Sequence, residues 1–377
     1  MRYILILTIC LMATTSSFAA FDTKAKYALL IDADTGYIMY DKKSDIAMPP
    51  ASMSKLMTAY MIFDALKSGK ITEDDEFVVS ENAWRKGGAK SGSSTMFLNP
   101  KQKVKVRDLL RGIIVQSGND ACIVAAEGLS GSEEAFADQM NHKAKELGLK
   151  DSTFYNATGL PQPGHVMSAR DLAVLARALM RDFPEYYSIY SQKEFKYNGI
   201  KQGNRNPLLY TMDGADGLKT GHTEASGYGL TGSVKTRDGR RLIMVVNGLK
   251  SMNDRSSESQ KLVGYGLANF ENLLLYKKGA VLETIPVWYG QSETVEAVVP
   301  EDMLITLPRG QKNKIDAKIV YDTPVAAPIQ KGQKLGRLIV QMPENGREEI
   351  DLVAATDVDK VGYFGKLKKF IMSWIGK

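Results

Sequence analysis

Pro49-Pro50-Ala51-Ser52-Met53-Ser54-Lys55-Leu56-Met57-Thr58-Ala59-Tyr60-Met61-Ile62-Phe63-Asp64-Ala65-Leu66 holds two prolines and then a run rich in Met, Leu and Ala at helical spacing. The run predicts a helix from Ser52 to Leu66, closed by Ser68-Gly69. Upstream, the short apolar runs Tyr27–Ile31 and Tyr37–Tyr40 flank Asp32-Ala-Asp-Thr-Gly36, which reads as a β-hairpin with a glycine-containing loop. Downstream, Val106–Val115, Asp120–Leu129, Ser132–Leu147 and Ala169–Arg181 continue the helical pattern. Strand character returns at Gly217–His222, Tyr228–Val234 and Leu242–Val246, the last two joined through Arg237-Asp238-Gly239. A helical block bracketed by strands implies an α/β sandwich whose antiparallel sheet is assembled from both ends of the domain, with a last helix over about Ser256–Leu275 covering it.

Past about Gly279 the pattern changes to short alternating runs, Val295–Val299, Met303–Leu307, Ile315–Val320 and Leu335–Val340, separated by Gly, Pro and Lys clusters. This predicts a small, separate all-β domain. It carries no group of His, Cys or paired acids to which chemistry can be attached, so it reads as a spacer or docking module.

The 377 residues, 44% apolar and 24% charged, suit a packed globular protein of two or three units. Residues 1–19 differ: Arg2, an apolar run from Tyr3 to Met12, then small residues through Ser17 and Ala19 predict a secretory signal peptide cut after Ala19. Cys10 leaves with it, so Cys122 remains alone, no internal disulfide is possible, and a buried, inert thiol is expected. The net charge of +6 also dissolves on inspection. Arg2, Lys366, Lys368, Lys369 and Lys377 account for five, leaving +1 for residues 20–360, which gives nucleic acid no electrostatic footprint.

Four of those lysines lie in the last segment, Gly362–Lys377. On a helix, Phe364, Leu367, Phe370, Ile371, Trp374 and Ile375 fall on one face, with Lys366, Lys369 and Ser373 turned away and Lys368 and Lys377 at its flanks. Such a helix is expected to lie in the headgroup region of an anionic bilayer. The expected division is therefore signal peptide 1–19, main domain 20–280, all-β domain 281–358 and membrane-surface helix 359–377.

Three short elements carry the chemistry. Ser52-Met-Ser-Lys55 is the chain's one S-x-x-K; at a helix start its hydroxyl and amine share a face. Serine becomes a nucleophile when a base takes its proton, and a lysine serves when its pKa is depressed. Ser117-Gly-Asn119 is one of three S-x-N matches, beside Ser80–Asn82 and Ser251–Asn253, and the one that falls in a helix-to-helix turn. Lys219-Thr220-Gly221, followed by His222-Thr223, lies in a predicted strand whose edge could hold an extended peptide, with Gly221 permitting close approach and Lys219 adding a fixed charge.

In that order the three elements resemble penicillin-binding proteins and β-lactamases. Ser117-Gly-Asn-Asp-Ala-Cys122, Lys219-Thr-Gly-His-Thr223, the separate β domain and the amphipathic tail are similar to the low-molecular-mass penicillin-binding proteins, the serine D-alanyl-D-alanine carboxypeptidases. The resemblance implies the penicillin-binding α/β fold and hydrolysis of the terminal D-alanine from peptidoglycan pentapeptide stems. It also implies inhibition by β-lactams and a place on the periplasmic face of the cytoplasmic membrane. Ser52 would be the nucleophile, Lys55 its base, and Ser117 the proton donor to the leaving amine. Asn119 would hold the substrate amide, Lys219 would keep Lys55 neutral, and the N–H groups of Ser52 and His222 would form the oxyanion hole. The leaving group's carboxylate would meet Thr220, Thr223 and an arginine, Arg255 first and Arg205 second.

A class A β-lactamase deacylates through a glutamate-activated water, and no glutamate occurs between Glu146 and Glu185. A D,D-endopeptidase using the same site stays open, as does a non-catalytic wall-binding protein. The chain has no G-x-S-x-G elbow, and His142, His165 and His222 show no ligand spacing, so neither metal nor cofactor is expected.

Overall fold

The computed structural model describes residues 21–343 and 346–362. The expected signal peptide and nearly all of the expected tail helix fall outside them.

Five antiparallel strands form the main sheet, in the spatial order Ile38–Lys42, Tyr27–Asp32, Arg241–Leu249, Gly227–Lys235 and Ala215–Thr223. The N-terminal hairpin thus lies against a strand from the far end of the domain, with Tyr27 opposite Asn247 and Asp32 opposite Leu242. Alternation explains the layering. Leu29, Ile31, Ile243 and Val245 point into the large core beneath the helices. Ala28, Leu30, Leu242, Met244 and Val246 point the other way, onto Leu262 and Val263 of the helix Met252–Asn269. Each such burial is worth roughly 1.5–3 kcal/mol before the entropy of ordering is charged against it.

Asp32 locks the two ends together. Its Oδ1 accepts from the N–H groups of Asp34 and Thr35 at 3.0 and 3.1 Å, while Oδ2 accepts from Arg240 Nε at 2.9 Å, both partners being buried.

The expected helices lie at Lys55–Lys67, Val106–Ile114, Asn119–Ser130, Glu133–Glu146 and Ala169–Asp182, within a residue or two of expectation except at the first, where Ala51–Ser54 form a 3₁₀ turn. Ser132 and Ser168 cap two of them, accepting from Ala135 N and Asp171 N. The last helix is shifted: it runs Met252–Asn269, started by the Ser251 cap, and Phe270–Tyr276 is a strand paired with Met303–Pro308. The run Leu273-Leu274-Leu275 fits either period, and pairing with a partner strand decides it. Leu273 and Leu275 pack against the second unit's core.

That second unit is all β, its six-stranded sheet including Val281–Trp288, Thr294–Val298, Asp316–Tyr321, Lys334–Gln341 and Arg347–Ala354. Ile285, Val295, Ile305, Leu338, Val340 and Leu352 fill its own core. At the junction Arg240 Nη1 donates to Phe270 O at 2.7 Å, and the hydroxyls of Thr35 and Thr306 meet at 2.7 Å.

Candidate active site

Ser52 stands in the 3₁₀ turn that leads into the helix Lys55–Lys67, so Ser52 and Lys55 are one turn apart on a single rigid element. Ala51 takes φ +48° to make this turn, and Ser117 takes φ +60° in the loop between two helices. Left-handed backbone at residues bearing a Cβ costs on the order of 1 kcal/mol or more and is held here by the surrounding core.

Lys55 is buried, with its Nζ 2.8 Å from Ser52 Oγ, 2.7 Å from Asn119 Oδ1 and 2.6 Å from Thr158 O. A neutral amine has two N–H bonds and one lone pair. The Asn119 and Thr158 oxygens accept the first two, which leaves the lone pair facing the Ser52 hydroxyl. Burial, and then the positive charge of Arg205, bring Lys55 down to about 8.

The Thr158 carbonyl is itself placed. Asn156 Oδ1 accepts from Thr158 N, Thr158 Oγ1 and Gly159 N at 3.1, 2.9 and 2.8 Å, a side-chain-closed turn. His165 then ties this loop to the turn that carries Ser52: Tyr155 N donates to His165 Nδ1 at 3.2 Å, and Nε2 lies 2.8 Å from Ser54 Oγ. With Nδ1 accepting, Nε2 carries the proton and donates to Ser54. Burial, and secondarily Lys55, depress His165 to about 4, so the ring is neutral.

Lys219 lies in the edge strand Ala215–Thr223, buried, with Thr220 O at 3.2 Å. Burial, and then Lys55 and Arg205, hold its ammonium well below the usual lysine range. Besides lining the cleft, Gly221 makes a further close contact. A Cβ there would sit 2.7 Å from Pro50 O and 3.3 Å from Ala51 Cβ, so glycine lets the strand press on the turn that carries Ser52.

Ser52, Ser117, Thr220, Gly221, His222, Arg205 and Arg255 line one cleft of about 240 Å³, joined by Ser94, Tyr228 and Met252. Ser117 Oγ is buried there without a hydrogen-bond partner. Arg255 Nη2 donates to Arg205 O at 3.5 Å and its guanidinium lies over the Tyr228 ring, whose other contact is the His222 ring at 3.9 Å. Arg205 reaches Ser94 Oγ. Burial lowers both guanidinium groups. Among the described residues, no carboxylate forms an ion pair with Lys55, Lys219, Arg205 or Arg255.

Two expected site residues stand differently. Asn119 has both ends of its amide engaged, Oδ1 by Lys55 and Nδ2 by Ser93 Oγ at 2.8 Å. Thr223 N and Oγ1 both donate to Ser226 Oγ at 2.9 Å, which makes it part of the strand-end turn. Ser93, Ser94, Asn156, Thr158, His165 and Tyr228 were beyond the motifs. Asn156-Ala-Thr-Gly159 did carry a turn signature that could have been read, whereas Ser93 and Ser94 reach the site by tertiary folding alone. Cys122 is buried, and burial pushes its thiol up to about 12. The described residues contain no group of acids, histidines or cysteines placed to hold a metal ion.

A serine hydroxyl hydrogen-bonded to a buried lysine, a second buried serine and a basic strand edge define a serine acyl-transfer enzyme with the penicillin-binding fold. The family description D-alanyl-D-alanine carboxypeptidase matches residues 12–251, and Penicillin-binding protein 5, C-terminal domain, matches residues 270–360. The chain belongs to the D-alanyl-D-alanine carboxypeptidase family, among its low-molecular-mass penicillin-binding proteins. It is 40% identical over 359 residues to D-alanyl-D-alanine carboxypeptidase DacC of Escherichia coli (strain K12), covering 93% of this chain and 90% of that one. DacF of Bacillus subtilis (strain 168) is 36% identical over 361 residues, with the same coverages of 93% and 90%. The crystal structure of penicillin binding protein 5 from Haemophilus influenzae superposes with a TM-score of 0.84 at 37% identity, covering 91% of this chain and 99% of that one. Penicillin-binding protein D2 from Listeria monocytogenes, in its ampicillin-bound form, matches 66% of this chain and 99% of its own, with a TM-score of 0.57 and 29% identity.

Proposed function

We propose that this D-alanyl-D-alanine carboxypeptidase works through an acyl-enzyme on Ser52. Lys55 takes the Ser52 proton as Oγ attacks the carbonyl carbon of the penultimate D-alanine. The N–H groups of Ser52 and His222 hold the oxyanion. The C–N bond then breaks, Ser117 gives its proton to the departing amine and is resupplied with the one Lys55 took from Ser52, and D-alanine leaves with Lys55 neutral again. Water attacks the ester, giving a proton to the regenerated Lys55 amine, which passes it to Ser52 Oγ as that oxygen leaves and the shortened stem is freed. Asn119 acts by aiming Lys55, and its amide is available to the substrate once Ser93 lets go.

The observation that carries this reading is the cleft's unpaired cationic wall. Arg205 and Arg255 line it beside Ser52, with Lys55 and Lys219 buried close by, and among the described residues none of the four has a carboxylate in ion-pair contact, which suits a substrate that brings its own carboxylate. An entering carboxylate would pair with Arg255 and Lys219, supported by Thr220. The same feature favours a free C-terminal acid over the internal bond an endopeptidase cuts. A β-lactam, which carries a carboxylate beside a reactive acyl carbon, would acylate Ser52 in the substrate's place.

The signal-like residues 1–19 and the lysine-flanked apolar face in residues 362–377 support export and attachment to the outer surface of the cytoplasmic membrane. No helix among the described residues is long and apolar enough to cross a bilayer.

Intact-mass analysis after exposure to benzylpenicillin tests the nucleophile. The parent chain should gain one penicillin mass, and Ser52→Ala should gain none and release no D-alanine from a pentapeptide. An unchanged adduct in the variant would place the nucleophile elsewhere.

A further inference from the structure

At one end of the β unit, Trp288 is 61% exposed and Tyr289 49% exposed, with ring centroids 6.0 Å apart. Trp288 ends the strand Val281–Trp288, and Tyr289, at φ +55°, turns the chain out of it. The last described residues run back alongside this corner. Gln291 N donates to Asp359 O and Val361 N donates to Tyr289 O, both at 2.8 Å, and Gly290 bridges to Lys360. The described chain therefore ends, at Gly362, within a residue or two of the aromatic pair.

Trp and Tyr combine an apolar ring with a polar edge, and they concentrate where one side is hydrocarbon and the other water. A docked protein partner would be expected to present a complementary pocket. Here the chain instead continues into a sequence that, with Phe364, Leu367, Phe370, Trp374 and four lysines, suits an anionic lipid surface. Anything that holds that segment at a bilayer brings the Trp288–Tyr289 corner to the same depth.

We propose that Trp288 and Tyr289 are a second membrane contact, an aromatic foot seated among the headgroups of an anionic bilayer beside the tail. The inference rests on the membrane reading of residues 362–377. Two points of contact would fix the tilt of the β unit on the surface, where a single tail would leave it free to swing.

The test uses the full chain with Trp84→Phe and Trp374→Phe, which leaves Trp288 as the sole tryptophan of the three. With vesicles of phosphatidylglycerol and phosphatidylethanolamine, Trp288 emission should shift to the blue and be quenched by brominated lipid. In the otherwise native chain, the pair Trp288→Ala and Tyr289→Ala should lower vesicle partition several-fold and leave hydrolysis of a soluble peptide unchanged. Cosedimentation with unaltered Trp288 emission would overturn the foot while sparing the tail; failure of the native chain to cosediment would overturn both. A blue-shifted Trp288 that needs no lipid would mean that the tail or a second copy covers the pair, which also overturns it.

Discussion

Lys55 Nζ and Asn119 Oδ1, 64 positions apart in the chain, meet at 2.7 Å. By occupying one N–H of the amine, Asn119 helps decide where the lone pair points, and it points at Ser52. The base is thus aimed as well as depressed, and the two effects come from different parts of the fold.

The first prediction is the pH dependence of the reaction. Lys55 acts as a base only when neutral, so D-alanine release should climb with pH along a limb centred near 8. Lys55→Arg keeps the charge but cannot shed a proton, and should lose the limb together with about 10²–10⁴-fold in rate. Linkage runs the same way: between about 8 and the unperturbed 10.5 the unfolded chain holds the Lys55 proton and the folded chain does not, so this residue's contribution to stability rises with pH there. A flat rate profile would dismiss Lys55 as the base.

Arg255→Gln should raise KM for a peptide ending in a free D-alanine acid by about tenfold or more, the worth of a charge-assisted hydrogen bond. A peptide with an amidated C-terminus should bind parent and variant nearly alike. Equal losses on both peptides would assign Arg255 to structure.

His165→Ala removes both links between the 155–165 loop and Ser54, at a cost of roughly 1–3 kcal/mol for the stranded groups. The cost should appear as a lower thermal midpoint. The parent ring charges at about 4 when folded against an unperturbed 6.5, so the unfolded state binds more protons in between and stability falls as pH drops through that window. His165→Gln should flatten that acid-side component, and an undiminished slope would exclude His165 as its source.

Gly221→Ala introduces a Cβ 2.7 Å from Pro50 O. Relieving the overlap means moving the edge strand off the turn that carries Ser52, a cost of about 1–3 kcal/mol. Acylation by benzylpenicillin, followed by stopped-flow fluorescence, should slow by a larger factor than the stability change alone explains, because Ser52 and His222 N–H groups must stay in register. Unchanged acylation would mean the cleft tolerates the extra atom.

Much of this was legible in advance because local rules agreed with the fold. Two prolines and helical spacing placed the helix that follows Ser52 to within three residues, and short apolar runs placed the strands on both sides of the helical block. Ser52, Lys55, Ser117 and Lys219 carried motifs and line or flank one cleft. What escaped reading depended on distance. Ser93 and Ser94 sit in a small-residue loop that signals nothing by itself, and His165 looks like any isolated histidine until the loop folds it onto Ser54. The strand Phe270–Tyr276 was taken into a helix because a run of leucines satisfies both periods.

The hairpin beginning at Tyr27 is made first and completed last. Its inner strand finds its neighbour only when Arg241–Leu249 has emerged, so until then the leading segment must wait with an open edge, vulnerable to wrong pairings. Maturation of the enzyme is accordingly an all-or-nothing event timed by the arrival of the domain's trailing strand. A fragment stopped short of that strand, though it contained every motif residue up to Lys219, would have no lattice on which to set them.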